Sequence, residues 1–444
     1  MSTVQIFINL FAYFCFNLGA LVVWPSRRNV VAWLGLPFFV VAYLIPLFVV
    51  DYTEVASLQT IAELTMMNGI GAIAMLAGLV LGGRMKIPSL RRFRPRLGKL
   101  GGSSQSASPQ ARTFGVLIAG CVLMSLCFVW MGVVPILAPD PFLAKFFRGQ
   151  YKEKYDQVAV FYRLSQTLMA TALPLAMAFF ADRREVKLLI FVLWSIGLFA
   201  AGLNRGTVVA SIVLLGAIWA SRRSLRMTVF LALSTVLYCL GSSIYVVLGI
   251  VVPDDFDLWA EIARGAPDIK DHLSFLGAFD PDSQLTYGLS FIGGLVPGNF
   301  RYNPSVYTLA IVNGTFDVSE IASGGFRLPP SMSGYMAFSW VGVAVVSWLT
   351  GVLTGCFTAY LRRLPRENFA QQVAGLIWFQ TVAGFWIGFY ALSYQGLIAL
   401  VLFAYLVPRV EGLTTSEPSR RHSWLNSRLR RPRAVQRIDV PTLG

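Results

Sequence analysis

Charged side chains are scarce in this chain: 13% of residues carry charge, 56% are hydrophobic and the mean hydropathy is +0.62. A soluble protein of 444 residues would carry roughly 25% charge and divide into domains of about 100–200 residues. Histidine is rarer still, with only His272 and His422. There is no P-loop, HExxH, GxSxG or CxxC pair, so nothing marks nucleotide binding, zinc proteolysis, serine hydrolysis or thiol redox chemistry. The cysteines Cys15, Cys121, Cys127, Cys239 and Cys356 all fall in apolar runs, with no metal spacing and no disulfide framework. No metal site and no cofactor is expected. No internal repeat stands out, nor the paired broken helices that point to a secondary transporter.

What is present is a series of apolar runs. Window hydrophobicity gives about eleven, near 4–24, 30–50, 61–83, 113–136, 157–181, 188–203, 207–220, 227–250, 335–360, 369–388 and 391–408. The expected fold class is an all-α polytopic membrane protein with about eleven transmembrane helices and one large periplasmic loop between spans 8 and 9. Residues 1–250 would hold the first eight spans, 251–333 the loop, 334–408 the last three and 409–444 a basic disordered tail. The first run has no basic residue before it and no small-x-small cleavage site, and reads as a span, not a cleaved signal.

Charge sets the orientation. Loops 25–29, 84–112, 182–187, 221–226, 361–367 and the tail 409–444 alternate with the others and hold most of the 37 lysines and arginines. Of the 22 acidic residues they hold only Asp182, Glu185, Glu367, Glu411, Glu417 and Asp439. By the positive-inside rule these loops are cytoplasmic, which puts the C-terminus inside and, with an odd span count, the N-terminus in the periplasm. The net charge of +15 could suggest nucleic acid, but no nucleic-acid-binding fold signature accompanies the basic stretches at 88–112 and 412–444. Anionic headgroups of the membrane lipids suffice as their partner.

The opposite loops differ in kind. Residues 138–156 mix charge with Phe142, Phe146 and Phe147 and read as a short amphipathic surface segment. Residues 251–333 are rich in acid, glycine, proline and aromatics, and are expected to form a partly helical cap on the spans. Its Asp254, Asp255, Asp257 and Glu261 are candidates for a general base, and its His272 is the only histidine on that side. Gly69, Gly71, Gly78 and Gly82 of the third run read as helix-packing positions.

Ionisable residues within the apolar runs are few, and each is a candidate for function. Asn204-Arg205-Gly206 joins two runs of about 15 residues, roughly 23 Å of helix each, too short for a hydrocarbon core of about 30 Å. If the basic clusters at their far ends share one surface, Arg205 sits below the opposite one. Arg163 lies roughly 10 Å into the fifth run. Glu63 lies one turn into the third, where an ion pair with Arg163 is the structural alternative. Arg301 and Arg327 approach from the loop, Arg327 just ahead of two prolines that fix an extended approach to the ninth run. Arginines converging without an acidic cage suit a pyrophosphate headgroup, because the guanidinium stays charged and presents a planar fork of donors.

Asn204-Arg205-Gly206 at a short hairpin, then a large loop ending in Arg327-x-Pro329-Pro330-Ser331-x-x-Gly334-Tyr335, then Trp340-x-Gly342 and Gly351-x-x-x-Gly355, together resemble the bacterial oligosaccharide repeat-unit polymerases, the Wzy-type O-antigen polymerase family. The likeness covers roughly residues 160–360. Tyr335 and Val345 stand where many members carry an acidic residue and a second glycine. The resemblance implies polymerisation of undecaprenyl-pyrophosphate-linked oligosaccharide at the periplasmic face of the bacterial inner membrane, for O-antigen, capsule or exopolysaccharide. It implies Arg205, Arg163 and Arg327 as the charge-stabilising groups, with Asn204, Arg301, Tyr302, Tyr335 and His272 as substrate contacts. A metal-independent glycosyltransferase is expected, with a chain-length regulator and a flippase as candidate partners. The alternatives are an O-antigen ligase-like glycosyltransferase using the same pyrophosphate site, and a flippase or transporter for a lipid-linked sugar.

Overall fold

The computed structural model describes residues 1–26, 29–85, 109–183, 186–204, 216, 228–236, 258–292, 295, 300–315, 325–363 and 394–406. Arg205, the run 207–220, most of 227–250, Asp254, Asp255, Asp257, the run 369–388, the turn near 390–395 up to residue 393, and the tail 409–444 lie outside the described residues.

Every regular element among the described residues is helical. In chain order they are α1 (Thr3–Leu18), α2 (Ala20–Val23), α3 (Val30–Phe39), α4 (Ile45–Val49), α5 (Leu58–Arg84), α6 (Pro109–Met131), α7 (Pro141–Phe146), α8 (Lys152–Asp156), α9 (Ala159–Arg183), α10 (Val186–Ala201), α11 (Leu258–Gly265), α12 (Asp268–Ala278), α13 (Leu289–Ile292), α14 (Pro304–Asn313), α15 (Pro330–Arg363) and α16 (Tyr394–Leu406). Among the described residues, three segments are long and apolar enough to cross a membrane: Leu58–Arg84, Gln110–Leu137 and Pro330–Tyr360. Thr3–Leu18, Gly35–Val49 and Leu188–Ala201 are apolar but shorter. The chain is a helical protein with membrane-spanning character.

Local sequence sets several helix starts. Ser2 and Gln5 form a reciprocal capping box on α1, and Ser57 caps α5. Between α3 and α4 a π-turn runs over Val40–Leu44, next to Pro46, which cannot donate its own amide. Gly314 closes α14 in the left-handed conformation, so Asn313-Gly314-Thr315 serves as a helix stop.

Among the described helices, α5 and α15 pack together most extensively. A β-carbon added at Gly78 would land on the carbonyl of Trp348, and one at Gly82 on the carbonyl of Val352. Reciprocally, a side chain at Gly351 would meet the Met75 carbonyl, and one at Gly355 the Leu79 carbonyl. Two small-xxx-small faces therefore let the two backbones touch, which is how apolar helices associate where no hydrophobic drive separates them from lipid.

α15 is not the continuous helix the sequence led one to expect over 335–360. Phe338 (φ −146°, ψ 27°) and Ser339 (φ 54°, ψ −147°) break it. Residues eight apart in a straight helix are separated by about 12 Å. Here the carbonyls of Gly334 and Gly342 each occupy the place of the other's missing β-carbon, so the chain doubles back at the break. The short leg, residues 330–337, is re-entrant: Ser331 at its start reaches Asn68, while Tyr335 reaches Glu63, nearer the start of α5. Gly71 abuts both Ser331 and Ser347, putting the start of the short leg level with the middle of the long one. Residues 286–288 hold the bend, with the Thr286 amide donating to the Met336 carbonyl (3.0 Å) and Gly288 (φ 83°) against the Phe338 ring.

α1, α3, the π-turn, α5 and the short leg share one core with α12 and α14 of the loop region. Tyr13, Tyr43, Met67, Phe275, Tyr307 and Met332 all belong to it. The loop helices are thus built into the core instead of resting on it. A second group forms around α6 and α9, with α10 and α16 against them.

Candidate functional site

Asp268, Asp271 and His272 occupy positions i, i+3 and i+4 of α12, one face of that helix. That face turns toward α1, the π-turn and the segment leading into α15. His272 is 0% exposed. Its Nε2 lies 2.8 Å from the Arg327 carbonyl, which can only accept, so Nε2 carries the proton. Nδ1 is then the acceptor for the Tyr13 hydroxyl at 2.9 Å. Tyr43 stacks on Tyr13 (4.0 Å between centroids) and lies over the imidazole. Burial drives the His272 pKa down to about 4, so the ring is neutral, consistent with that tautomer. His272 is a strut fastening α12 to α1 and to the backbone of Arg327, with both nitrogens engaged.

The Arg327 guanidinium pairs with Asp268 at 3.0 Å and lies over the Phe38 ring, 4.9 Å from its centroid. Asp268 is 2% exposed at its side chain and Arg327 49%. Burial pushes the Asp268 carboxyl above the ordinary carboxylate range and Arg327 opposes it. A buried carboxylate on one side and a histidine-held carbonyl on the other thus fix a half-exposed guanidinium in place. Beside it, Asp271 is half-buried. Desolvation first, then the Asp268 charge, raises its pKa to about 7, with Arg327 and Lys270 pulling the other way.

A polar chain continues inward from the strut. Asn68 hydrogen-bonds the Tyr13 hydroxyl, donates to Asn9 Oδ1 at 2.8 Å and accepts from the Ser331 hydroxyl at 2.8 Å. Asn9 donates to Thr65 at 2.9 Å, and Thr65 to the Ile61 carbonyl at 2.8 Å. Polar groups at this depth are stable only if mutually satisfied, and these tie α1, α5 and the re-entrant leg together. Tyr335 donates to Glu63 at 2.9 Å, with Phe279 and Trp340 against its ring.

A second cluster lies on the other helix group. Arg163 Nε donates to the Tyr155 hydroxyl at 2.9 Å. Asn204 donates to the buried Tyr162 hydroxyl at 3.2 Å, and Gly202 leaves room for that hydroxyl. Phe147 stacks on Tyr155 (4.0 Å, 11°) and meets Tyr162 edge-on. Phe147 (φ 52°) and Leu203 (φ 55°) both adopt left-handed backbone, which costs a non-glycine residue about 1–3 kcal/mol and concentrates at sites of function. Asn204, just past the end of α10, is thereby tied to Tyr162, the chain neighbour of Arg163.

The expected site residues divide accordingly. Asn204 meets the Arg163 neighbourhood; His272 and Arg327 meet each other; Tyr335 joins the core that contains His272. Arg301 is exposed over Tyr302, which stacks on Tyr307 at 6.0 Å. Arg163 and Glu63 do not pair, since Glu63 is bound by Tyr335. Asp268, Asp271, Tyr13, Tyr155 and Tyr162 went unread in the sequence, although the i, i+3, i+4 spacing of Asp268, Asp271 and His272 carries the signal for the first two. No protein-family model, curated protein or solved structure matches this chain.

Proposed function

We propose that this protein polymerises lipid-linked oligosaccharide repeat units. A glycan carried on undecaprenyl pyrophosphate is transferred to the next lipid-linked unit at the periplasmic face of the inner membrane. In this reading the chain has about eleven spans, with 251–333 periplasmic, the C-terminus cytoplasmic and the N-terminus periplasmic.

The observation that carries the proposal is Arg327: a half-exposed guanidinium whose position is dictated by buried partners, Asp268 and the His272-bound carbonyl. Holding a cation at a fixed, accessible place costs ordering that a snorkelling arginine does not incur. Arg163, with Asn204 and the hairpin beginning there, supplies the second cationic element. An acceptor hydroxyl attacks the anomeric carbon, the bond to the pyrophosphate breaks, and Arg163, Arg205 and Arg327 stabilise the charge developing on the leaving diphosphate. Tyr302, half-buried beneath Arg301, is the aromatic this reading offers to a sugar face, whereas Tyr335, 4% exposed and bonded to Glu63, belongs to the core and not to the expected substrate contacts.

Purified protein supplied with lipid-linked repeat units and no other acceptor tests this. Products longer by successive repeats support a polymerase. Transfer only to an added non-repeat acceptor points to a ligase, and translocation without new glycosidic bonds to a flippase. Fusion reporters on opposite sides of the membrane at the two termini support the odd span count; reporters on the same side overturn it.

A further inference from the structure

We propose that Asp271 is the general base that activates the acceptor sugar hydroxyl, an inference that rests on the polymerase reading above. Its carboxylate takes the hydroxyl proton as the acceptor oxygen bonds to the anomeric carbon. The carbon–oxygen bond to the diphosphate breaks, its electron pair stays with the diphosphate, and Asp271 then returns the proton to water.

The geometry selects Asp271 by what surrounds it. It sits one helical turn from Asp268 on the α12 face that confronts Arg327, so a diphosphate at that guanidinium brings the scissile bond to this face. Four neighbouring ionisable groups already hold partners. Asp268 is buried in its ion pair, and His272 has both nitrogens bonded. Glu63 is held by Tyr335. Asp280 accepts from the Asp282 amide and the Ser283 hydroxyl in an exposed turn. The Asp271 carboxylate makes no hydrogen bond or ion pair with any described residue, yet the residue is half-buried. Asp268, Lys270 and Arg327 act on its charge, and the elements packed against α12 carry Glu63 on α5, Tyr307 on α14 and Tyr43 on the π-turn. Its pKa near 7 suits a base that must be ionised at working pH and still accept a proton.

The test is the pH dependence of turnover by the purified full-length protein with lipid-linked repeat units. Wild type is expected to gain kcat as pH rises through about 7 and then level off. D271N is expected to lose about 100-fold or more in kcat with KM little changed, and to lose the acidic limb. D271E is expected to keep the limb at reduced kcat, and decides the matter should the amide variant not fold. D271N turning over within threefold of wild type, or either variant showing a limb opposite to that stated, overturns the assignment. Failure of wild type to form any ladder overturns the polymerase reading itself, a result distinct from an active D271N.

Discussion

The two arginine clusters are built by opposite means. Around Arg327 the molecule uses charge and fully bonded polar groups: a buried aspartate, a neutral histidine, a tyrosine and a ladder of Asn9, Asn68, Thr65 and Ser331. Around Arg163 it uses phenols and rings, with Phe147 and Leu203 held in unfavourable backbone. The first arrangement resists change, since removing one member strands another in an apolar setting. The second stores strain in a neighbourhood that stacking holds together. The α12 side is thus held by interlocking polar bonds, and the α9–α10 side by ring stacking around strained backbone.

That contrast can be broken most directly at the arginines. Arg163→Ala and Arg205→Ala are each expected to cut long-chain glycan by about 100-fold or more while leaving protein abundance unchanged. Arg327→Ala should cut glycan as deeply but also lower abundance, because Asp268 loses its cation; half exposure limits that cost to about 1–2 kcal/mol. Immunoblots of membranes beside glycan gels check both. Equal abundance for Arg163→Ala and Arg327→Ala would erase the contrast.

The helix contacts offer the next test. Gly351→Ala pushes a β-carbon into the Met75 carbonyl and is expected to cost about 3 kcal/mol. Gly120→Ala, in the other helix group, meets chiefly the flexible Met169 side chain and should cost about 1 kcal/mol. Thermal unfolding in detergent measures both, and a reversed order would contradict the backbone-contact view of α5 and α15.

His272 gives a pH signature. Its folded pKa of about 4 lies below the ordinary 6.5, so between those values the unfolded chain binds the proton and the native one does not. Wild-type stability relative to H272Q should therefore rise with pH from about 4 to about 6.5, by about 3 kcal/mol, and stay flat above. A flat difference across that window would mean the histidine is hydrated. The smallest effect is expected at Leu203→Gly, which relieves a left-handed residue and should stabilise by about 1 kcal/mol while lowering activity. Stabilisation with undiminished activity would detach the strain from function.

Much of the helical plan was legible because apolar runs bounded by basic loops leave little choice, and α5, α6, α9 and α10 fall in expected runs. The glycine face of α5 was legible too, as Gly78 and Gly82 show; that Gly351 and Gly355 are its partners was not. The re-entrant leg was not. Its bend falls on Phe338 and Ser339, residues with no turn signature, and the clue lies in Gly334 and Gly342, eight apart, which enter the sequence reading only as part of a family-like motif. His272 read equally well as a surface loop residue, because nothing in a linear pattern shows that α12 turns inward against Tyr13. Charge density marks the acidic run near residue 254, but burial sets a carboxyl's chemistry, and a linear pattern does not show that Asp268 and Asp271 are the desolvated pair.

In the proposed reaction, guanidiniums hold a carrier diphosphate while one repeat unit is joined to the next. Its most direct measurement is the product distribution when purified wild type and Arg163→Ala each receive only lipid-linked repeat units. A ladder from wild type and none from a folded Arg163→Ala is the expected result. A ladder of equal length from both proteins would contradict it.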